Sequence, residues 1–391
     1  MSPSSESAGL RHVVSVTAIT VWMGWAFQRI WSVVAGGHVP AAYIADSSQH
    51  LAYSDIIALY RTRFLYQHTL PYIHNRIEYP VIMGIFMWLA SLPHGLLPYF
   101  IITSAALYAM ALATYFILHR MVPKKAVYWA VLPILVVYGL LNWDLLGIAF
   151  MVIAWRSYQA QHWRRSAVWF AVAVFTKLFP VFFLPFIAAE LWRQGRTREM
   201  MRMVWAFLAA SAVINVPFMV ANFGNWALFY TFNAGRALGA DIYSNRWIHG
   251  IPVSSANLIS LAVTVVAVVW LALRVYQGGR AVEAAAYAFT IFLFVNKVYS
   301  PQYTIWLVAF ALLADWPGWT LLLLTISGIA DYINSFAEIH FIYTRSPALS
   351  WYTHEVFNLG LLFRYMALVV TGLGARFAPR PPSRSYSTSR L

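Results

Sequence analysis

Apolar runs of about 16–26 residues recur along nearly the whole chain, separated by short polar connections. Each is long enough, or almost so, to cross a ~30 Å hydrocarbon layer as a helix. The pattern predicts segments at about 13–35, 79–93, 97–118, 126–141, 144–156, 166–191, 203–221, 254–276, 282–297, 303–314, 318–335 and 355–374. Two long polar connections, about 36–78 and 222–253, interrupt the rhythm, with a shorter one at 337–353. The expectation is an all-α, polytopic membrane bundle of about 11–13 segments, forming a single domain over 1–375. Residues 1–11 and 376–391 read as disordered from their Ser, Pro and Arg content.

Composition sharpens this picture. Hydrophobic residues make up 61% of the chain and charged ones 10%, against roughly 45–50% and about 25% in soluble domains. The first run, "VVSVTAITVWMGWAFQRIWSVVAG", is too long for a cleavable signal peptide and lacks a small-residue cleavage site. A net charge of +14 could suggest nucleic acid. The basic residues instead fall in short loops and in the tail "RFAPRPPSRSYSTSR", which suits anionic headgroups on a cytoplasmic face and points away from a nucleic-acid partner. With no cysteine, disulfides, thiolate catalysis and cysteine-ligated metal drop out.

Counting basic residues back from the tail puts 222–253, "NKVYSPQY" and 337–353 outside, and a cytoplasmic N-terminus puts 36–78 on that same face. The middle resists. "HRMVPKK" (119–125), "WRSYQAQHWRR" (155–165) and "LWRQGRTREMMR" (191–202) are all basic, and simple alternation cannot place all three inside. Half-depth or broken helices would resolve the conflict, with Pro180, Pro185 and the polar "NWD" at 142–144 as candidate breaks.

Charged groups at membrane depth cost on the order of 2.5–3.5 kcal/mol each, so each needs a reason. Asp55 opens "DIIALYRT", whose apolar residues suit a short interfacial helix in the first outer loop. Such a helix could hold Asp55 at the mouth of the bundle, or Asp55 could be an N-cap and Glu78 a solvated loop residue. Asp144 in "LLNWDLLGIAF" is bracketed by apolar sequence, its alternative reading being a polar turn in which Asn142 caps the next helix. Lys177 in "AVFTKLFPVFF" calls for a phosphate or carboxylate partner unless it snorkels to an interface. Asn296, Lys297 and Gln302 lie in a polar knot before a helix opened by Pro301, where an anion would be favoured. Arg236, Asp241 and Arg246 add charge to the second outer loop. The histidines show no metal-ligand spacing, and His162, His249 and His340 read as interfacial. Protease, esterase, P-loop and dinucleotide fingerprints are missing.

Together, "YSDIIALY", "PYIHNRIEYPVIMGIFMWL", "LLNWDLLGIAF", "TKLFPVFFLP" and "NKVYSPQYTIWL" resemble the GT-C superfamily of polyprenyl-phosphate-sugar-dependent glycosyltransferases, over about residues 53–310. Within it they are similar to the actinobacterial branch around glycosyltransferase family 87. The resemblance implies a GT-C fold and a multi-pass plasma-membrane enzyme with an extracytoplasmic active site. It further implies a polyprenyl-phosphate-mannose donor, a lipid or glycan acceptor of the cell envelope, and inversion at the anomeric carbon. It maps the catalytic base onto Asp55 and a second acidic position onto Glu78. Lys177, Asn296, Lys297, Gln302, Arg236 and Asp144 become candidates for binding donor phosphate or sugar. Because the loop has no paired acids or DxD, neither metal nor cofactor is expected. A transporter or flippase of an anionic lipid or lipid-linked sugar is the alternative, since buried charges and proline breaks would suit it as well.

Overall fold

The computed structural model describes residues 3–35, 43–236, 251–344 and 354–376, and among these residues no strand forms. The first helix, α1 (Pro3–Val34), is followed by α2 (Tyr43–Gln49), α3 (Asp55–Thr62), a 3-10 turn at Leu65–Gln67, α4 (Val81–Ser91) and α5 (Leu96–Met121). The expected disorder is corrected over residues 3–11: α1 is helical from Pro3, since extending an established helix is far easier than starting one. Helices α1 and α5 are antiparallel. Phe27 stacks on Phe100 at 5.1 Å near one end, and His12 meets His119 at 4.2 Å near the other. Tyr60 of α3 stacks on Tyr99 at 4.9 Å, which puts the short helices of the first loop at the Phe100 end. We refer to this as the loop end and to the other as the basic end.

The middle of the chain explains the charge conflict. Two short helices, α6 (Ala126–Val131) and α7 (Ile134–Tyr138), broken at Leu132–Pro133, climb to the loop end. From there α8 (Asp144–Gln159) descends and α9 (Trp163–Val174) returns. A 3-10 turn at Phe179–Phe183 and α10 (Leu184–Arg193) then descend again. The run 166–191 is therefore two antiparallel rods, turning at residues 175–178. Pro180 lies in the 3-10 turn and Pro185 in the first turn of α10, where a missing N–H costs no helical hydrogen bond. This extra reversal brings 119–125, 155–165 and 191–202 all to the basic end.

The remaining path is α11 (Thr197–Ala221) rising, α12 (Phe223–Gly235) lying at the loop end, α13 (Val253–Tyr276) descending and α14 (Ala281–Val295) rising. It closes with α15 (Tyr303–Leu313) descending, α16 (Gly318–Thr344) rising and α17 (His354–Arg376) descending. Among the described residues six helices, α1, α5, α11, α13, α16 and α17, are long and apolar enough to cross a membrane, and the chain is a helical membrane protein. The others fall short of the ~20 residues a lone span needs. Their place in the bundle makes this tolerable. Only 11% of the spanning window of α11 and 17% of that of α13 are buried, so these helices face lipid. In contrast, α8 and α15 are buried along most of their length. A short helix can end inside the bundle because neighbouring protein, not lipid, meets its last carbonyls and amides.

The first loop is pinned to this frame by Tyr72. Its hydroxyl donates to the carbonyls of Tyr79 and Pro80, both at 2.8 Å, and its ring meets Phe218 of α11 at 5.5 Å. Gly84, one turn into α4, leaves the space: a Cβ there would lie 2.6 Å from Tyr72 Cζ. We therefore predict that Gly84→Ala displaces a fully buried tyrosine and destabilises the protein by about 1–3 kcal/mol. Thermal unfolding in detergent would read the loss, and hydrogen exchange should rise first over residues 64–80.

Candidate active site

The start of α3 is bonded to the turn before α8 through backbone groups. The Asp55 N–H donates to the Leu141 carbonyl at 2.8 Å, and Ser54 Oγ donates to the Leu140 carbonyl at 2.6 Å. Ser54 also caps α3 by accepting the Ile56 N–H at 3.3 Å. Asp55 is thus the first helical residue and not the cap, which leaves its carboxylate to other partners. Oδ1 accepts from Tyr53 Oη and Oδ2 from Asn142 Nδ2, both at 2.9 Å. The same Asn142 nitrogen donates to Tyr79 Oη at 2.9 Å. Asn142 Oδ1 accepts its neighbour's N–H, from Trp143, at 2.6 Å. Burial pushes the Asp55 carboxyl above the usual aspartate range, and the Asp144 charge adds to the rise. The Asn142 and Tyr53 bonds and the Lys177 charge hold it back.

Asp144, at the first position of α8, is fully buried. Its Oδ1 accepts from the Lys177 ammonium in a close ion pair, and from Trp306 Nε1 of α15 at 2.6 Å. Gly147 makes room for that indole, since a Cβ there would lie 2.7 Å from Trp306 Cη2. The structure thus gives Lys177 the carboxylate partner that its isolation in the sequence called for. The ammonium also lies 5.3 Å from the Tyr303 ring centroid and 5.9 Å from that of Phe179. The Lys177 side chain keeps 12% of its surface accessible while Asp144 keeps none, so the lysine faces the accessible side and the aspartate stands behind it.

Glu78 occupies a different electrostatic position. Arg63, just past the end of α3, grips both its carboxylate oxygens through Nε and Nη2. A carboxylate held in two-point contact by a guanidinium has its lone pairs engaged. Tyr79 lies between the Glu78 pair and Asn142, and feels the charges of Asp55, Glu78 and Asp144 together.

A second group forms where residues 296–302 meet the end of α12. Lys297 is buried, and its Nζ donates to the Ala234 carbonyl at 2.8 Å. Burial and then the nearby Arg236 charge lower its pKa. Asn296 Nδ2 donates to the Val298 carbonyl at 2.8 Å, which shapes the loop itself. Gln302 is buried with its Oε1 lacking a hydrogen-bond partner among the described residues. Tyr299 stacks on Tyr303 at 6.3 Å, so the loop that carries Lys297 leads to the ring beside Lys177.

The structure therefore gathers Asp55, Asp144 and Lys177, sets Glu78 at their edge, and places Lys297 with Arg236. Asp241, Arg246 and His249 lie outside the described residues. His340, expected at an interface, is buried on α16. The reading of single charges missed Tyr53, Asn142 and Trp306 as hydrogen-bond partners of the two aspartates, and Tyr79 as a partner of Asn142. It also missed a buried ion pair: Arg364 Nη1 donates to Asp331 Oδ1 and Oδ2 at 3.2 and 3.3 Å and to the Tyr299 carbonyl at 3.0 Å. That pair supports the 296–302 loop from behind, and its two charges, each within an apolar spanning segment, were the signal to look for. Among the described residues no three His, Asp or Glu side chains gather as a metal site. Compared with protein-family models and with curated proteins, the chain matches none.

Breaking the Asp144–Lys177 pair from either side leaves an uncompensated buried charge, which costs about 3–5 kcal/mol. Lys177→Met and Asp144→Asn should each lower the unfolding midpoint strongly. The double variant should lose much less than the sum, a coupling that a double-mutant cycle in detergent would measure.

Proposed function

We propose that the protein is an integral-membrane glycosyltransferase of GT-C type, with Asp55 as its general base. The observation that carries this reading is the setting of Asp55: held by two neutral donors, raised in pKa by burial, and within electrostatic reach of Lys177. The substrates and sidedness rest on the motif resemblance. The donor is polyprenyl-phosphate-mannose, the acceptor a lipid or glycan of the cell envelope, and the reaction takes place on the extracytoplasmic side of the plasma membrane. The loop end is then the outer face, which agrees with the arginines and lysines collected at the basic end.

An acceptor hydroxyl is a poor nucleophile until its proton is taken. Asp55 removes that proton as the acceptor oxygen bonds to the anomeric carbon. The bond from that carbon to the phosphate oxygen breaks on the opposite side, and its electron pair leaves with the polyprenyl phosphate. The anomeric configuration inverts. The departing phosphate gains one negative charge, which Lys177 from one side and Lys297 with Arg236 from the other are suited to stabilise. No proton need be supplied to such a leaving group, so one free carboxylate is enough. Glu78, engaged by Arg63, shapes the rim of the loop. Asp144 fixes the position of Lys177.

Asp55→Asn should lower mannosyl transfer by roughly 10²–10⁴-fold in membranes given lipid-linked donor, with the protein still inserted. Undiminished transfer would remove Asp55 as base, and movement of lipid across liposomes with no new glycosidic bond would favour a transporter. The pH dependence has a definite sign. A base works only when ionised, so activity is present above the Asp55 pKa and lost as pH falls through it. Because that pKa is raised, the acid limb should lie above the ordinary aspartate value of 3.8. Asn142→Ala, which removes a donor to the carboxylate, should move the limb to higher pH still.

A further inference from the structure

Open hollows lie far from Asp55, at the basic end. Here the first turns of α9 and α11 border two adjoining grooves of about 520 and 670 Å³ that share Arg164 and Arg202. Arg165 completes one and Arg198 the other, with Trp163 and Trp205 beside them. The distance from the proposed site follows from the helices: α8 has 16 residues between Asp144 and Gln159, which is ~24 Å of rise.

This charge arrangement is costly as it stands. Arg164, Arg165, Arg198 and Arg202 form no ion pair among the described residues, and Glu199, in the same first turn of α11, does not pair with them. They repel one another, and they sit where two helix dipoles already present positive potential. A structural role would call for carboxylates between them; elsewhere at this end Lys125 does pair with Asp315, at 2.7 Å. Arginine forks without carboxylates, lining an open groove, match phosphate oxygens in geometry and charge.

The surroundings decide what bears the phosphate. Beyond Arg202, α11 continues with Trp205 (65% exposed), Leu208 (49%) and Val213 (77%). The order from Arg198 to Val213 is charge, aromatic, aliphatic along one largely unburied spanning helix. It matches the headgroup, interface and acyl layers of a leaflet. We infer that this groove binds the headgroup of an anionic phospholipid, with its acyl chains laid along the exposed face of α11. The site is separate from the transfer site and does not depend on that assignment.

Native mass spectrometry and thermal-shift titration of the full-length protein in neutral detergent would test it. The probes are phosphatidic acid, phosphatidylcholine of the same chain length and inorganic phosphate. Phosphatidic acid should bind saturably and raise the unfolding midpoint, and the other two should do so far more weakly. Arg164→Gln with Arg202→Gln should weaken phosphatidic acid binding about thirty-fold. Arg120→Gln, at the same end on α5, should not. Both substitutions are at exposed positions, and unchanged gel-filtration behaviour would show that the fold is kept. Equal binding of phosphatidylcholine, equal binding of free phosphate, or an affinity indifferent to the double substitution would each overturn the proposal.

Discussion

Inside a hydrocarbon layer a charge cannot be left to water, and the loop end of this bundle is organised around the way Asp144 and Lys177 meet that constraint. One begins α8 and the other sits in the break after α9, so each marks a place where the chain reverses at membrane depth. Pairing them neutralises both reversals at once. Trp306 and Tyr303 close over the pair from α15, which joins elements distant in the sequence around a single contact. Asn142, two residues before Asp144, is thereby held in place, and it carries one of the two hydrogen bonds to Asp55.

The carboxylates of this region divide by the kind of donor they meet. Asp144 is matched by Lys177, Glu78 by Arg63, and Asp331 by Arg364. Each of these has a full positive charge against it, so its oxygens are committed to an ion pair. Asp55 instead rests on a phenol and an amide. Neutral donors orient a carboxylate without cancelling its charge, and burial then raises its affinity for a proton. The three paired acids build the frame, and the fourth is the one whose chemistry remains available.

Much of the architecture was legible because membrane burial writes a coarse signal. Runs of apolar residues gave the helical class, and the prolines at 180 and 185 marked where one run becomes two. Asp55 and Lys177 stood out because each is expensive in its setting. Their partners did not. Tyr53 and Trp306 are common residue types in a chain with 23 tyrosines and 18 tryptophans, and nothing local distinguishes a ring that donates a hydrogen bond from one that fills space. The Asp331–Arg364 pair spans two helices, so neither residue reveals the other until α16 and α17 are packed together. Glu78 and Asp55 looked alike in the sequence, and only the fork of Arg63 separates them.

Helix length adds a last step. Counted from the basic end, α8 and α9 rise ~24 and ~18 Å, from 16 and 12 residues, short of the ~30 Å hydrocarbon layer. Asp144 and Lys177 therefore lie below the surface of the loop end, while α12 and the short helices of the first loop lie at that surface. At such depth mobile ions contribute little screening, and the effective dielectric is far below that of water. One exposed lysine would do little for a phosphate in bulk water. For a recessed lysine, its direction fixed by buried Asp144, screening is weaker, so the part of its field that Asp144 does not offset reaches further. The shortness of the inner helices is thus what recesses this pair.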